Sequence, residues 1–309
     1  VSTRVLSPSY AVLWAAFFNF VAMFIFAPHV ANTISQIVKI ESQDISYVYV
    51  ILIGLISAIV WDLFTWRLGL PTSSSHALIG GLAGAGLAYG GWNALYWEKI
   101  IEIAVFIVLA PLIGLFLGFI SMCSVYWICR DWYPVSVNRF FSKGQLVSAA
   151  LYSIGHGAND AQKTMGIIMA VLIASGHFSS DVELSLGNMQ TLWIILICHV
   201  AMAIGTAFGG WRIVKTMGMK IVKLKPVGGF CAETAGAATL FMATQFGIPV
   251  STTHTIIGSI IGVGTASHPL SKIKWGVAAN IAWSWILTIP STAALAWIIF
   301  FCFASFQNR

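Results

Sequence analysis

Asn159, Asp160, Gln162, Lys163 and Thr164 stand within six positions of one another in HGANDAQKTMG, 156–166. The segment is flanked by the apolar stretches LVSAALYSIG and IIMAVLIASG. A carboxylate, an ammonium, two amides and a hydroxyl in apolar company are the parts of a site for small ions. An ionisable group in such a stretch is costly unless it is paired or faces water, which makes Asp160 a functional candidate. On a helix, Asp160 and Lys163 share a face three residues apart and neutralise each other, as a structural ion pair or as part of an ion site. Gly155, Gly157 and Asn159 weaken a helix at this point, so an interruption is expected that frees backbone groups beside the side-chain donors.

A second constellation occurs twice. GLPTSSSHALIGG at 69–81 and GIPVSTTHTIIGS at 247–259 match with Gly, Pro, Ser, His, Ile and Gly in register, Pro71 and Pro249 standing 178 residues apart. Each proline ends what precedes it and can open a helix, which puts Ser73, Ser74, Ser75 and Ser251, Thr252, Thr253 at N-cap or first-turn positions. Free N–H groups, a positive dipole end and three hydroxyls at one point suit a tetrahedral oxyanion. A pair of ordinary capped helices is the plainer alternative. His76 and His254 follow the hydroxyls and could donate to an anion, relay protons, or simply pack against a backbone carbonyl. Ser and His three apart also admit an intramembrane hydrolase, yet a catalytic dyad rarely needs duplication and neither copy has an acidic third member. A receptor that binds without transporting is a third class.

The elements that must position these groups are membrane helices. The 309 residues are 58% hydrophobic and 8% charged, far from the roughly 25% charged of soluble domains. Apolar runs at about 10–28, 46–66, 98–128, 145–173, 190–208, 229–246 and 275–305 predict eight to ten helical membrane elements. A net charge of +6 raises nucleic acid as a partner, but the basic residues cluster as membrane topology demands. Arg130, Arg139 and Lys143 lie in one expected connection and Arg212, Lys215, Lys220, Lys223 and Lys225 in another, two spans later, so both face the cytoplasm. Cys123, Cys129, Cys198, Cys231 and Cys302 have no metal-like spacing and imply no disulfide framework.

Outside the two constellations, Asp62 is expected to pair with Arg67 at the membrane edge. Glu233, among the small residues of GGFCAETAGAATL, serves either ion coupling or a bond across helices. His29, His177 and His268 fall in expected loops, and Trp92, Trp97, Trp127 and Trp132 read as interface anchors. The duplication reaches upstream, with NFVAM from Asn19 matching HVAMA from His199 at an offset of 180. It divides the chain into a first repeat over 1–128, a cytoplasmic loop over 129–144 and a second repeat over 145–309. The same offset puts the counterpart of HGANDAQKTMG ahead of Val1, so the first repeat is expected to be N-terminally incomplete.

Taken together, HGANDAQKTMG, GLPTSSSH and GIPVSTTH resemble the signatures of the inorganic phosphate transporters of the PiT type, and similarity to that family covers essentially the whole chain. The resemblance implies an all-α integral membrane protein, an inverted-repeat secondary transporter with discontinuous or re-entrant helices, in the cytoplasmic membrane of a bacterium. It implies cation-coupled phosphate symport by alternating access. Ser73 to Ser75, Asn159 and Ser251 to Thr253 would contact phosphate and Asp160 the coupling cation, sodium or proton. Gln162, Lys163, Thr164, His76, His254 and Glu233 would support them. No other cofactor, no resident metal and no nucleic acid are expected; a homodimer is compatible. A sulfate permease of the same fold is the alternative, since donors alone do not separate two tetrahedral anions.

Overall fold

The computed structural model describes residues 1–38, 45–179 and 181–307. Among these, eleven helices carry nearly all the order: α1 (Pro8–Val21), α2 (His29–Ser35), α3 (Ile45–Leu68), α4 (Ser74–Gly90), α5 (Trp97–Ile128), α6 (Pro134–Ala174), α7 (Leu192–Phe208), α8 (Trp211–Met219), α9 (Pro226–Gln245), α10 (Thr252–Ser267) and α11 (Trp275–Gln307). By length and composition α3, α5 and α11 can each cross a membrane, and five spans result when each of two bent pairs counts as one.

Those bent pairs are α1 with α2, turned by 86°, and α7 with α8, turned by 73°. The apolar run expected over 10–28 is therefore not one straight crossing. Its helix ends at Val21, passes through a 3-10 turn at Ala22–Phe24 and resumes at His29, the residue after Pro28, whose ring removes a backbone donor. At the second break Gly209 sits at φ 68°, a left-handed conformation that glycine adopts without steric cost.

The expected interruption near Gly155 and Gly157 is absent, because α6 runs unbroken through all 41 of its residues. The glycines answer to packing instead. A Cβ at Gly157 would strike the backbone of Asn19 on α1, and one at Gly155 would press on Leu240 and Phe241 of α9. Nor is 129–144 a loop throughout: α6 begins at Pro134, so Arg139 and Lys143 ride on its first turns. At 1.5 Å per residue, a helix this long measures about 60 Å and projects well beyond a hydrocarbon core of about 30 Å.

The repeat is visible in backbone detail. Gly69 and Gly247 both take φ 70° just after α3 and α9. The indoles of Trp97 and Trp275 each donate to the carbonyl five residues earlier, at 2.9 and 3.0 Å. The two motif-bearing helices pack across the chain: α4 lies along α11, and α10 lies along α5. Glycine makes both crossings close. A Cβ on Gly80 or Gly84 would collide with the backbone of Ile289 or Ala293, and one on Gly258 or Gly262 with the carbonyl of Pro111 or Leu115. Phe116, Trp283, Leu112 and Ile286 remain exposed on the outer faces of α5 and α11, as lipid-facing side chains do.

Candidate functional site

The tips of α4 and α10 converge on the middle of α6. Each tip is set by its own sequence: Ser73 and Ser251 are extended N-cap residues whose hydroxyls accept the main-chain N–H of His76 and His254, both at 3.3 Å. This is the capping geometry expected of a hydroxyl after a proline break. It also disposes of a Ser–His dyad, because each hydroxyl meets its histidine's backbone rather than its ring.

Lys163 ties the site together. Its Nζ donates to Asp160 Oδ1 on the same helix at 2.5 Å, to Ser75 Oγ at the start of α4 at 2.5 Å, and to the Val250 carbonyl before α10 at 2.7 Å. An ammonium has three protons, so all are engaged. The other carboxylate oxygen of Asp160 accepts from Thr252 Oγ1 and lies against His156 Nε2, both at 3.1 Å. The side chains of Lys163 and Asp160 are only 5% and 16% exposed, so the pair is shielded from bulk water. Asn159, next to Asp160 in the chain and one turn before Lys163, is fully buried and donates to Thr244 Oγ1 at 3.1 Å and to the Ile248 carbonyl at 3.2 Å. Its Oδ1 is left buried without a hydrogen-bond partner among the described residues.

Beside this network lies a cavity of about 170 Å³ bounded by Ser74, Ser75, Asp160, Lys163, Thr164 and Asp62. It has room for a small ion with waters. The hydroxyls of Ser74, Thr164 and Thr253 have no protein partner among the described residues and are free to bind. His76 and His254 meet where the two tips touch, ring centroids 4.6 Å apart, with Trp285 of α11 stacked on His254 at 3.8 Å.

Other candidates sit elsewhere. Gln162 turns away toward the α1–α2 break, accepting from the Val30 N–H at 2.9 Å and donating to the Ala27 carbonyl at 3.0 Å. It replaces backbone bonds that the break removed. Glu233 accepts from Ser148 Oγ at 2.7 Å and Gln145 Nε2 at 3.2 Å, bonding α9 to α6 away from the cavity. The pair expected between Asp62 and Arg67 does not form among the described residues. Five helical positions turn side chains about 140° apart, and the Arg67 carbonyl instead accepts from Arg212 Nη1 at 2.6 Å. His29, expected in a loop, begins α2.

Some participants went unread. His156 lies four residues before Asp160, a spacing that shares a helical face and was available in the sequence. Tyr152, whose hydroxyl donates to the Thr252 carbonyl at 2.9 Å, and Trp285, whose indole donates to the Pro71 carbonyl at 3.1 Å, gave no local signal.

Comparison with known proteins agrees with this architecture. A relative from Rhizobium meliloti named "Probable low-affinity inorganic phosphate transporter" is 50% identical over 97% of this chain and 87% of its own length. One from Bacillus subtilis with the same name is 43% identical over 97% and 88%. A solved structure described as "The sodium-dependent phosphate transporter" superposes with a TM-score of 0.86 at 25% identity, covering 98% of this chain and 92% of that one. The family model described as the phosphate transporter family matches residues 1–296, and with it the duplicated helix tips, the broken helices and the buried Asp160–Lys163 pair find one explanation: this chain belongs to the phosphate transporter family, an integral membrane protein and not an enzyme.

Proposed function

We propose that the protein carries inorganic phosphate across the cytoplasmic membrane of a bacterium by cation-coupled symport with alternating access. The observation that carries this reading is the placement of Lys163, which joins the acidic group of α6 to both hydroxyl-bearing tips at once. A phosphate entering the 170 Å³ cavity displaces Asp160 or Ser75 from the ammonium and gains the free hydroxyls of Ser74 and Thr164. The carboxylate it releases is then free for the coupling cation. The two events are linked because Asp160 cannot serve Lys163 and a cation equally well. Asn159 belongs to the cation or to a protonated phosphate oxygen rather than to an anionic one, since both its N–H donors are taken and only an acceptor is left.

The repeats, over 1–128 and 145–309, exchange helices, so the groups that rock against each other are α3, α4 and α11 on one side and α5, α9 and α10 on the other, about the contact of His76 with His254. Sodium is the first cation to test, given how the similar solved structure is described. A homodimer is compatible with this arrangement. The test is uptake of labelled phosphate into vesicles holding the purified protein, with sodium, proton or no gradient imposed. Accumulation should follow one gradient and be lost in Asp160→Asn. Accumulation without any gradient, or sulfate uptake untouched by excess phosphate, would refute the reading.

A further inference from the structure

We infer that the basic end of the molecule holds a binding site for an anionic phospholipid headgroup, in the cavity between the ends of α5 and α10 and the start of α9. This cavity, about 280 Å³, is bounded by Lys223, Lys225, Ser267 and His268 on its polar side and by Met122 and Tyr126 on its apolar side. Two ammonium groups and an imidazole, held at its Nδ1 by the Ser267 hydroxyl at 2.8 Å, above an apolar wall match a phosphodiester carrying acyl chains.

The surroundings extend the match. Residues 209–229 and 267–275 contain no Asp or Glu, yet carry Arg212, Lys215, Lys220, Lys223, Lys225, Lys272 and Lys274. The two stretches are joined, Lys274 N–H donating to the Ile221 carbonyl at 3.1 Å, so their charges form one patch. Among the described residues none of the six lysines has an ion-pair partner. A cluster of this size beside a membrane helix attracts acidic lipid by about 1 kcal/mol per basic residue. The rule that positive loops stay inside explains which side such charge faces. It does not explain a recess with two lysines at its rim.

The helix next to the recess has the character of one lying in the headgroup layer. α8 leaves α7 at 73° and presents Trp211, Val214 and Met219 outward, with Lys215 among them. An apolar outer face with interspersed lysine is the composition of an interfacial helix. α8 is also fastened to the turn ahead of the first hydroxyl motif: Arg212 donates to the Arg67 carbonyl, and Thr216 Oγ1 to the Gly69 carbonyl at 3.2 Å. A headgroup held here anchors the turn from which Pro71 and Ser73 to Ser75 emerge.

The test is native mass spectrometry of the purified full chain titrated with phosphatidylglycerol and, separately, with phosphatidylcholine. Wild type should hold phosphatidylglycerol selectively. Lys223→Gln with Lys225→Gln should weaken it about thirtyfold, at about 1 kcal/mol per lysine, while Lys99→Gln at the distant start of α5 leaves it unchanged. Should the first variant fail to fold, Lys272→Gln with Lys274→Gln reads the same patch from another segment. Equal retention of the two lipids, undiminished phosphatidylglycerol binding by the folded variants, or its displacement by inorganic phosphate would overturn the inference.

Discussion

Replacing Asp160 by Asn leaves the Lys163 ammonium with neutral acceptors alone, Ser75 Oγ, the Val250 carbonyl and the new amide oxygen, at a position where the lysine side chain is 5% exposed. Removing one partner of a buried ion pair costs about 3–5 kcal/mol, because an uncompensated charge remains. Lys163→Met is expected to cost a similar amount through the stranded carboxylate, slightly relieved by His156 and Thr252. With both substitutions no buried charge is left, and the loss shrinks to a few hydrogen bonds at about 1 kcal/mol each. The singles would sum to about 6–10 kcal/mol, so a double variant destabilised by about 2–3 gives a coupling energy of at least about 3 kcal/mol. Unfolding in mixed micelles titrated with sodium dodecyl sulfate, followed by tryptophan fluorescence, measures all four corners of the cycle. Phosphate uptake is measured alongside and should be absent in all three variants, since the double variant restores stability without restoring the site. Additive losses would show that Lys163 and Asp160 do not compensate each other, and uptake at the wild-type rate by the double variant would remove them from the transport site.

Gly80→Ala and Gly258→Ala should each destabilise by about 1–3 kcal/mol through overpacking, whereas Gly276→Ala, which faces open space, should be neutral in the same titration. Ser251→Ala should lose about 1 kcal/mol with its cap and Ser251→Thr should retain most of it, again read by micelle unfolding. Gln162→Leu removes both bonds at the α1–α2 break. It should cost about 1–3 kcal/mol, with faster hydrogen exchange at the Val30 amide as its local signature.

What could be read in advance was whatever is decided by near neighbours in the chain. Ser73 and Ser251 cap their helices because proline breaks, hydroxyls and free N–H groups all lie within a few residues. Asp160 and Lys163 pair because three positions on a helix bring them together. The misreadings arose where the deciding atom comes from far along the chain. Gly157 looks like a weak point in α6, yet its partner is the backbone of Asn19, a contact that no local window contains. Gln162 lies two residues from Asp160 and looked like a site residue, but helical geometry sends it to the opposite side, where a break in another helix needs its amide. Apolar runs likewise register burial and not direction, so the bend of 86° after α1 left no trace in hydropathy.

The packing of the motif-bearing helices across the chain also governs how the protein is made. The glycine face of α4 lies against Ile289 and Ala293, and these leave the ribosome roughly 200 residues after α4 itself, a delay of about 10–40 s at bacterial elongation rates. During that interval the first hydroxyl-tipped helix rests on α3 alone, with its other glycine face uncovered. Its counterpart α10 emerges with α5 already waiting. Assembly is therefore ordered: the second tip can dock as it is synthesised, whereas the first completes its packing only when the last helix arrives. A chain released before α11 would carry an exposed glycine-rich face, a natural handle for membrane quality control.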